Sequence, residues 1–226
     1  TDLGAGGVRV GVDEIDAARA SAHVLERLRI VGGGHVWREG VGVLLQRAEG
    51  CTVSMCEIAH LGYTGVSLGW EWGYATPSGC ASNLIADNFI HHIGRAELAD
   101  LGGIYVLGAS GGTRILRNVI CHVASYHMYG WGVYLDEGVT GVHVSANLVH
   151  HTTGGGLHLH YGHSNAVVEN VFACAGGADG DVAISVGEPH LQVNFSRNTV
   201  LRCAGAGRDG VGEVWGQPDE SASEVE

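Results

Sequence analysis

The run from Gly130 to Gly138, GWGVYLDEG, ends a glycine- and aromatic-rich segment in two adjacent acids, Asp136 and Glu137. Alternation along a strand turns one of these carboxyl groups outward. A carboxylate beside aromatic rings suits carbohydrate chemistry, because ring faces stack on the apolar faces of sugars while acids and imidazoles match hydroxyl groups. Cleaving a glycosidic bond generally takes two carboxyl groups, one protonated to assist the leaving oxygen and one ionised as nucleophile or base. Asp100, in LADLGGIY, is the best second acid, since it enters a strand one repeat before that of Asp136. Glu137 and Glu71 are fallback partners.

Side chains that far apart in sequence meet only if the chain repeats in register. The segments CEIAHLG, NFIHHIG, NVICHVA, NLVHHTT, NVFACAG and NTVLRCA align on Cys56, Asn88, Asn118, Asn147, Asn170 and Asn198, with Leu28 opening the series. The intervals are 28, 32, 30, 29, 23 and 28 residues. Each repeat also carries a second short strand: GVGVLL, TGVSLGW, GGIYVLG, GWGVYLDEG, GGGLHLHYG and GDVAISVG. Two or three strands per repeat, no helical periodicity, and Asn at one fixed place predict an all-β fold: a single-stranded right-handed parallel β-helix of six to seven coils. Equivalent positions then stack about 4.8 Å apart, so the Asn amides can bond along the stack. The expectation is one domain over residues 1–226. A short helix within DEIDAARASAHVLERLRI is expected to cap the open end within residues 1–24, and 217–226 form an acidic tail.

The second strands sort by alternation. If Val66, Ile104, Val133, Leu157 and Val182 point inward, so do Leu68, Val106, Leu135, Leu159 and Ile184. This leaves one outward row of Ser67, Tyr105, Tyr134, His158 and Ala183, beside a second of Gly69, Leu107, Asp136, His160 and Ser185. Asp136 is thus expected in a shallow wall of rings, with Trp70, Trp72, Trp131 and Tyr161 at the strand ends. His158, His160 and His163 on this wall are read as hydrogen-bonding substrate or tuning the carboxylates. His60, His92, His122 and His151 share one turn position; they are read as stacked turn imidazoles, since stacking gives a line where zinc prefers converging ligands. No metal and no cofactor is expected.

Composition narrows the partners. All 12 basic residues are Arg against 24 acids, for a net charge of −12, which argues against nucleic acid or anionic lipid as partner. No apolar run approaches the roughly 20 residues of a membrane span, and the N-terminus lacks the layout of a secretion signal. The six cysteines are read chiefly as buried free thiols, with one disulfide or a metal as the alternative.

The runs GVGVLLQRAEG, LGYTGVSLGWEWGY, NFIHHIGRAELADLGGIYVLG, SYHMYGWGVYLDEGVTGVHVSANLVHHTTGGGLHLHYG and EPHLQVNFSRNTVL resemble the parallel β-helix enzymes of glycoside hydrolase family 141. The likeness spans residues 1 to 205, with Leu159 standing where family members read Gln. It implies α-L-fucosidase or xylanase activity on plant cell-wall glycans, in secreted or periplasmic bacterial enzymes. It also implies Asp100 and Asp136 as the catalytic acids, with GWEWGY, GWG and HLHYG lining the sugar subsite. The expected substrate contacts are Trp70, Trp72, Tyr105, Trp131, Tyr134, Glu137, His158, His160 and Tyr161, in a monomer. A polysaccharide lyase on the same scaffold is the runner-up, weakened because the wall offers no cation to neutralise a uronate. A non-catalytic glycan-binding solenoid is the third reading.

Overall fold

A computed structural model of the chain describes residues 3–14, 18–175 and 181–203. Every paired strand is parallel to its neighbours, and three seven-stranded sheets run the length of the molecule. The first contains Val8–Val10, Val43–Leu45, Val66–Gly69, Leu101–Leu107, Gly130–Asp136, Gly155–Leu159 and Val182–Ile184. The second runs from Val24–Glu26 to Val193–Ser196, and the third from Arg29–Gly33 to Thr199–Leu201. Each coil contributes one strand to each sheet, the winding of a right-handed parallel β-helix.

Two sequence features fix the register. The first is the asparagine stack. Asn88 donates Nδ2 to Oδ1 of Asn118, Asn118 to Asn147, Asn147 to Asn170 and Asn170 to Asn198, at 2.9, 2.9, 2.9 and 3.0 Å. Each amide also receives a backbone N–H from the coil below, so the buried corner leaves none of these groups unpaired. The residue before each of these positions, Met55, Asp87, Arg117, Ala146, Glu169 and Arg197, adopts positive φ, which turns the chain between sheets two and three. A second, shorter set at Asn83 and Asn165 holds the amides of Cys51 and Val142 at another corner.

The second feature is a glycine column. Gly103, Gly132 and Gly156 stand just before the site strands' core residues, and a Cβ there would meet Ile120, Val149 and Phe172 of the third sheet at 2.4, 2.1 and 2.4 Å. The facing column is itself in register, Ile120 pairing with Val149 and Val149 with Phe172. Branched or aromatic side chains therefore fill the space the glycines leave, at close-packed density. Val66, Ile104, Val133 and Leu157 form one core file, and Leu68, Val106, Leu135 and Leu159 the next, as alternation predicts.

No helix occurs among the described residues, those of the expected N-terminal helix included. Ala20–Ser21 and Val24–Glu26 are instead strands, pairing with Ala48–Glu49 and Thr52–Ser54. The Ala, Arg and Glu of the surrounding segment favour helix, but the ladder offered by the next coil overrides that weak preference. Residues 15–17 and 217–226 lie outside the described residues, so neither the middle of the proposed helix nor the acidic tail is addressed. The cysteine reading also needs correction at two positions: Cys174 and Cys203 form a disulfide between successive coils, while Cys51, Cys56, Cys80 and Cys121 are buried free thiols.

Candidate active site

The outward rows of the first sheet are as alternation places them. Ser67, Tyr105, Tyr134, His158 and Ala183 are direct neighbours across five successive strands, and Leu107 pairs with Asp136. The wall they form is not open. Tyr105, Tyr134, Trp131 and His158 are all buried, and with Leu107 and Ala183 they make a small second core outside the sheet, against which Trp70 and Tyr129 pack. The expectation of a shallow ring platform is corrected accordingly: the rings bury one another, and Trp70 and Tyr129 at the strand ends pack against them. Tyr105 and Tyr134 meet edge to face at 5.0 Å, and His158 stacks on Trp131 at 4.7 Å.

Asp136 ends its strand at the rim of this cluster, only 6% exposed. Its Oδ2 accepts the hydroxyl of Tyr105 at 2.5 Å and its Oδ1 lies 2.9 Å from Nδ1 of His160. Burial, first, and the charge of Asp136, second, push the Tyr105 phenol far above the ordinary tyrosine range, so it remains a donor. Asp100 lies at the turn into the preceding strand, with positive φ, and its backbone carbonyl accepts the hydroxyl of Tyr63 at 2.8 Å. The residue is exposed, yet its carboxyl group turns toward the wall. Desolvation raises its pKa, the charge of Asp136 adds to that, and a hydrogen bond from Tyr134 works in the other direction. The two acids are thus electrostatically coupled, with Tyr105 hydrogen-bonded to Asp136.

The remaining predicted site residues divide between those that touch this pair's neighbours and those that do not. Glu137 is half-buried and accepts the hydroxyl of Tyr161 at 3.1 Å, while His160 stands 4.0 Å from Glu137. Trp70 is half-buried, its indole N–H held by Ser67 at 2.9 Å, whereas Trp72 is 59% exposed. His158 is buried against Ser185, to which its Nε2 is hydrogen-bonded; desolvation and the neighbouring His160 lower its pKa to about 4, so the ring is neutral. His163 bonds Ser164 and packs against Tyr74 and His190. Glu71 is half-buried, and no contact places it beside Asp136.

Sequence reasoning missed several members. Tyr74 donates to Glu188 at 2.6 Å and packs on Tyr161, extending the rim with an exposed ring. Tyr63 anchors the Asp100 turn, and Tyr129 stacks on His158. The GWEWGY run pointed to Tyr74; Tyr63 lies in the turn before Val66–Gly69 and Tyr129 directly precedes the strand of Asp136, both outside the alternating rows that the sequence sorts.

The turn histidines stack as expected: His60 on His92 at 4.8 Å, His92 on His122 at 4.7 Å and His122 on His151 at 5.4 Å. Burial and adjacent imidazoles hold His91, His122 and His150 below the usual histidine range.

The chain matches, over residues 31–207, the family described as right handed beta helix region. It belongs to the right-handed β-helix family. The match covers every coil that carries the site. No curated protein matches the chain. Among solved structures, this β-helix is similar to a protein titled glycoside hydrolase, at 17% identity and a TM-score of 0.59 over 88% of this chain and 31% of that one. The chain therefore spans about a third of that protein's length. It is also similar to DFA-IIIase from Arthrobacter chlorophenolicus A6, solved without its lid, at 15% identity and a TM-score of 0.42 over 86% of this chain and 66% of that one. At these identities the likeness is one of fold.

Proposed function

We propose that this β-helix is a glycoside hydrolase of the family 141 type, cleaving a neutral or weakly charged glycan such as an α-L-fucoside or a xylan-like chain. Asp100 and Asp136 are its two acids. The carrying observation is that Asp136 accepts hydrogen bonds from Tyr105 and His160 while sharing its field with Asp100. Two donors aimed at Asp136 suit a carboxylate acting as nucleophile or base, and desolvation of Asp100 suits an acid that holds its proton for the leaving oxygen. Trp72, Tyr74 and Tyr161 on the accessible rim supply ring faces for sugar stacking. Tyr105, Trp131, Tyr134 and His158 are buried beneath the rim rather than touching the sugar, and Tyr105 holds Asp136 from there. The protein acts as a secreted or periplasmic bacterial monomer without cofactor.

The test is a screen of the purified chain against fucosylated pectic fragments, xylan and uronate polymers. New reducing ends on a neutral glycan support hydrolysis; absorbance of an unsaturated product on uronates would establish the lyase instead. A second reading, a non-catalytic glycan-binding solenoid, draws on the near-complete burial of Asp136. It predicts binding without turnover, and binding unaffected by Asp136→Asn.

A further inference from the structure

We propose that His60, His91 and His92, on the third sheet and outside the proposed active site, form a site for a divalent transition metal of the imidazole-preferring kind, zinc foremost. The stacked turn row alone is a line. His91, one residue before the turn, supplies the convergence that the line lacks.

Adjacent residues of a strand point to opposite faces, but His92 has a φ of 52°, and this left-handed residue turns both rings to the same outer side. The Nδ1 atoms of His91 and His92 come within 2.8 Å, and a nitrogen from each of His60, His91 and His92 lies within 4.8 Å of the others. Two nitrogens bound to one tetrahedral zinc at 2.0–2.1 Å stand about 3.4 Å apart, so a small rotation of the exposed His92 ring opens the required gap. The same three rings leave one tetrahedral position for water.

The other side of His91 is prepared as well. Its Nε2 is buried with no hydrogen-bond partner and faces Oε1 of Glu57 at 3.6 Å. Glu57 is in turn fixed by Arg29 at 2.7 Å. A carboxylate behind one imidazole nitrogen orients the ring so that the opposite nitrogen presents its lone pair to a metal.

The coil repeat makes part of this geometry a second time. Here only the pair is reproduced: Nδ1 of His150 and His151 lie 2.7 Å apart and their ring planes cross at 85°, against 83° for His91 and His92, while the His122 ring stands farther off, 5.9 and 5.4 Å from His150 and His151 against 5.6 and 4.8 Å for His60 from His91 and His92. Register puts Val119 where the first triad has Glu57. The second triad therefore lacks the orienting carboxylate and binds more weakly. Imidazole sets of this kind accept zinc, nickel and copper.

The experiment is titration of the EDTA-stripped full chain with ZnCl2 by calorimetry and with CoCl2 by visible absorption. One tight zinc equivalent, and a cobalt spectrum of tetrahedral intensity, are expected. His60→Asn keeps a residue tolerant of the left-handed turn on the surface, so its circular dichroism stays unchanged while the tight equivalent is lost. Glu57→Gln weakens that equivalent about 10- to 100-fold, and His122→Asn removes only a weaker second one. Absence of tight zinc uptake, or uptake that His60→Asn and Glu57→Gln both leave unchanged, overturns the proposal and leaves the rings as a hydrogen-bonded stack.

Discussion

The phenol of Tyr105 donates a 2.5 Å hydrogen bond to Oδ2 of Asp136, the residue one coil on, from beneath a cover of aromatic side chains. Tyr105→Phe keeps the ring packing and leaves one buried carboxylate oxygen without its donor. Hydrogen bonds to charged groups contribute about 1.5–3 kcal/mol. The variant should lose that order of stability in denaturant titration, and kcat/KM should fall about 10- to 100-fold.

Asp100 carries the clearest pH signature. Desolvation and the charge of Asp136 raise its folded-state pKa above its unfolded value. Its contribution to stability is therefore full at pH below the unfolded value and is lost as pH rises through the folded one. Because the residue is exposed, the loss is under about 1 kcal/mol. Asp100→Asn should be slightly more stable than the wild type at neutral pH, with the advantage shrinking toward acid, while turnover falls. Thermal melts at several pH values read both the sign and the trend.

His158 predicts the opposite slope. Its folded pKa is lowered to about 4 by burial and His160, so its contribution is present above the unfolded value near 6.5 and lost as pH falls toward 4. For a ring this buried, the difference amounts to roughly 3 kcal/mol. His158→Gln should flatten the acid limb of the stability profile measured by chemical denaturation between pH 7 and 4.

Asn118 is bonded on every side: Oδ1 accepts from both nitrogens of Asn88, and Nδ2 donates to Asn147 and Ile85. Asn118→Ala strands these buried partners and should cost about 3 kcal/mol or more in denaturant unfolding. An exposed change at the neighbouring Arg117, which pairs with Asp87 on the surface, should cost under about 1 kcal/mol.

The contrast between Asn118 and Tyr129 shows what sequence can reveal here. Asn118 recurs coil after coil, and a repeated side chain announces its neighbour, so the register of Tyr105, Tyr134 and His158 could be read before any coordinates. Tyr63 lies in a turn and Tyr129, with a φ of 56°, stands just outside the Gly130–Asp136 strand, so strand alternation places neither ring, nor the burial of the wall that Tyr129 helps to cover. The strand at Val24–Glu26 was misread because helix preference is local while its pairing with Thr52–Ser54 is not. The Cys174–Cys203 disulfide joins residues 29 apart, close to one coil length, a spacing that could have pointed to stacking. The convergence of His91 on His92 was hidden for a different reason: strict strand alternation places them on opposite faces, and only the left-handed turn brings them together.

The central claim is that Asp136, set between Tyr105 and His160, performs glycosidic cleavage together with Asp100. Its most direct test is the turnover number of Asp136→Asn on the neutral glycan the wild type hydrolyses best, in protein whose circular dichroism matches the parent. A loss of about a thousand-fold or more, with sugar binding retained, is the predicted result. Turnover within a few-fold of the wild type would contradict it.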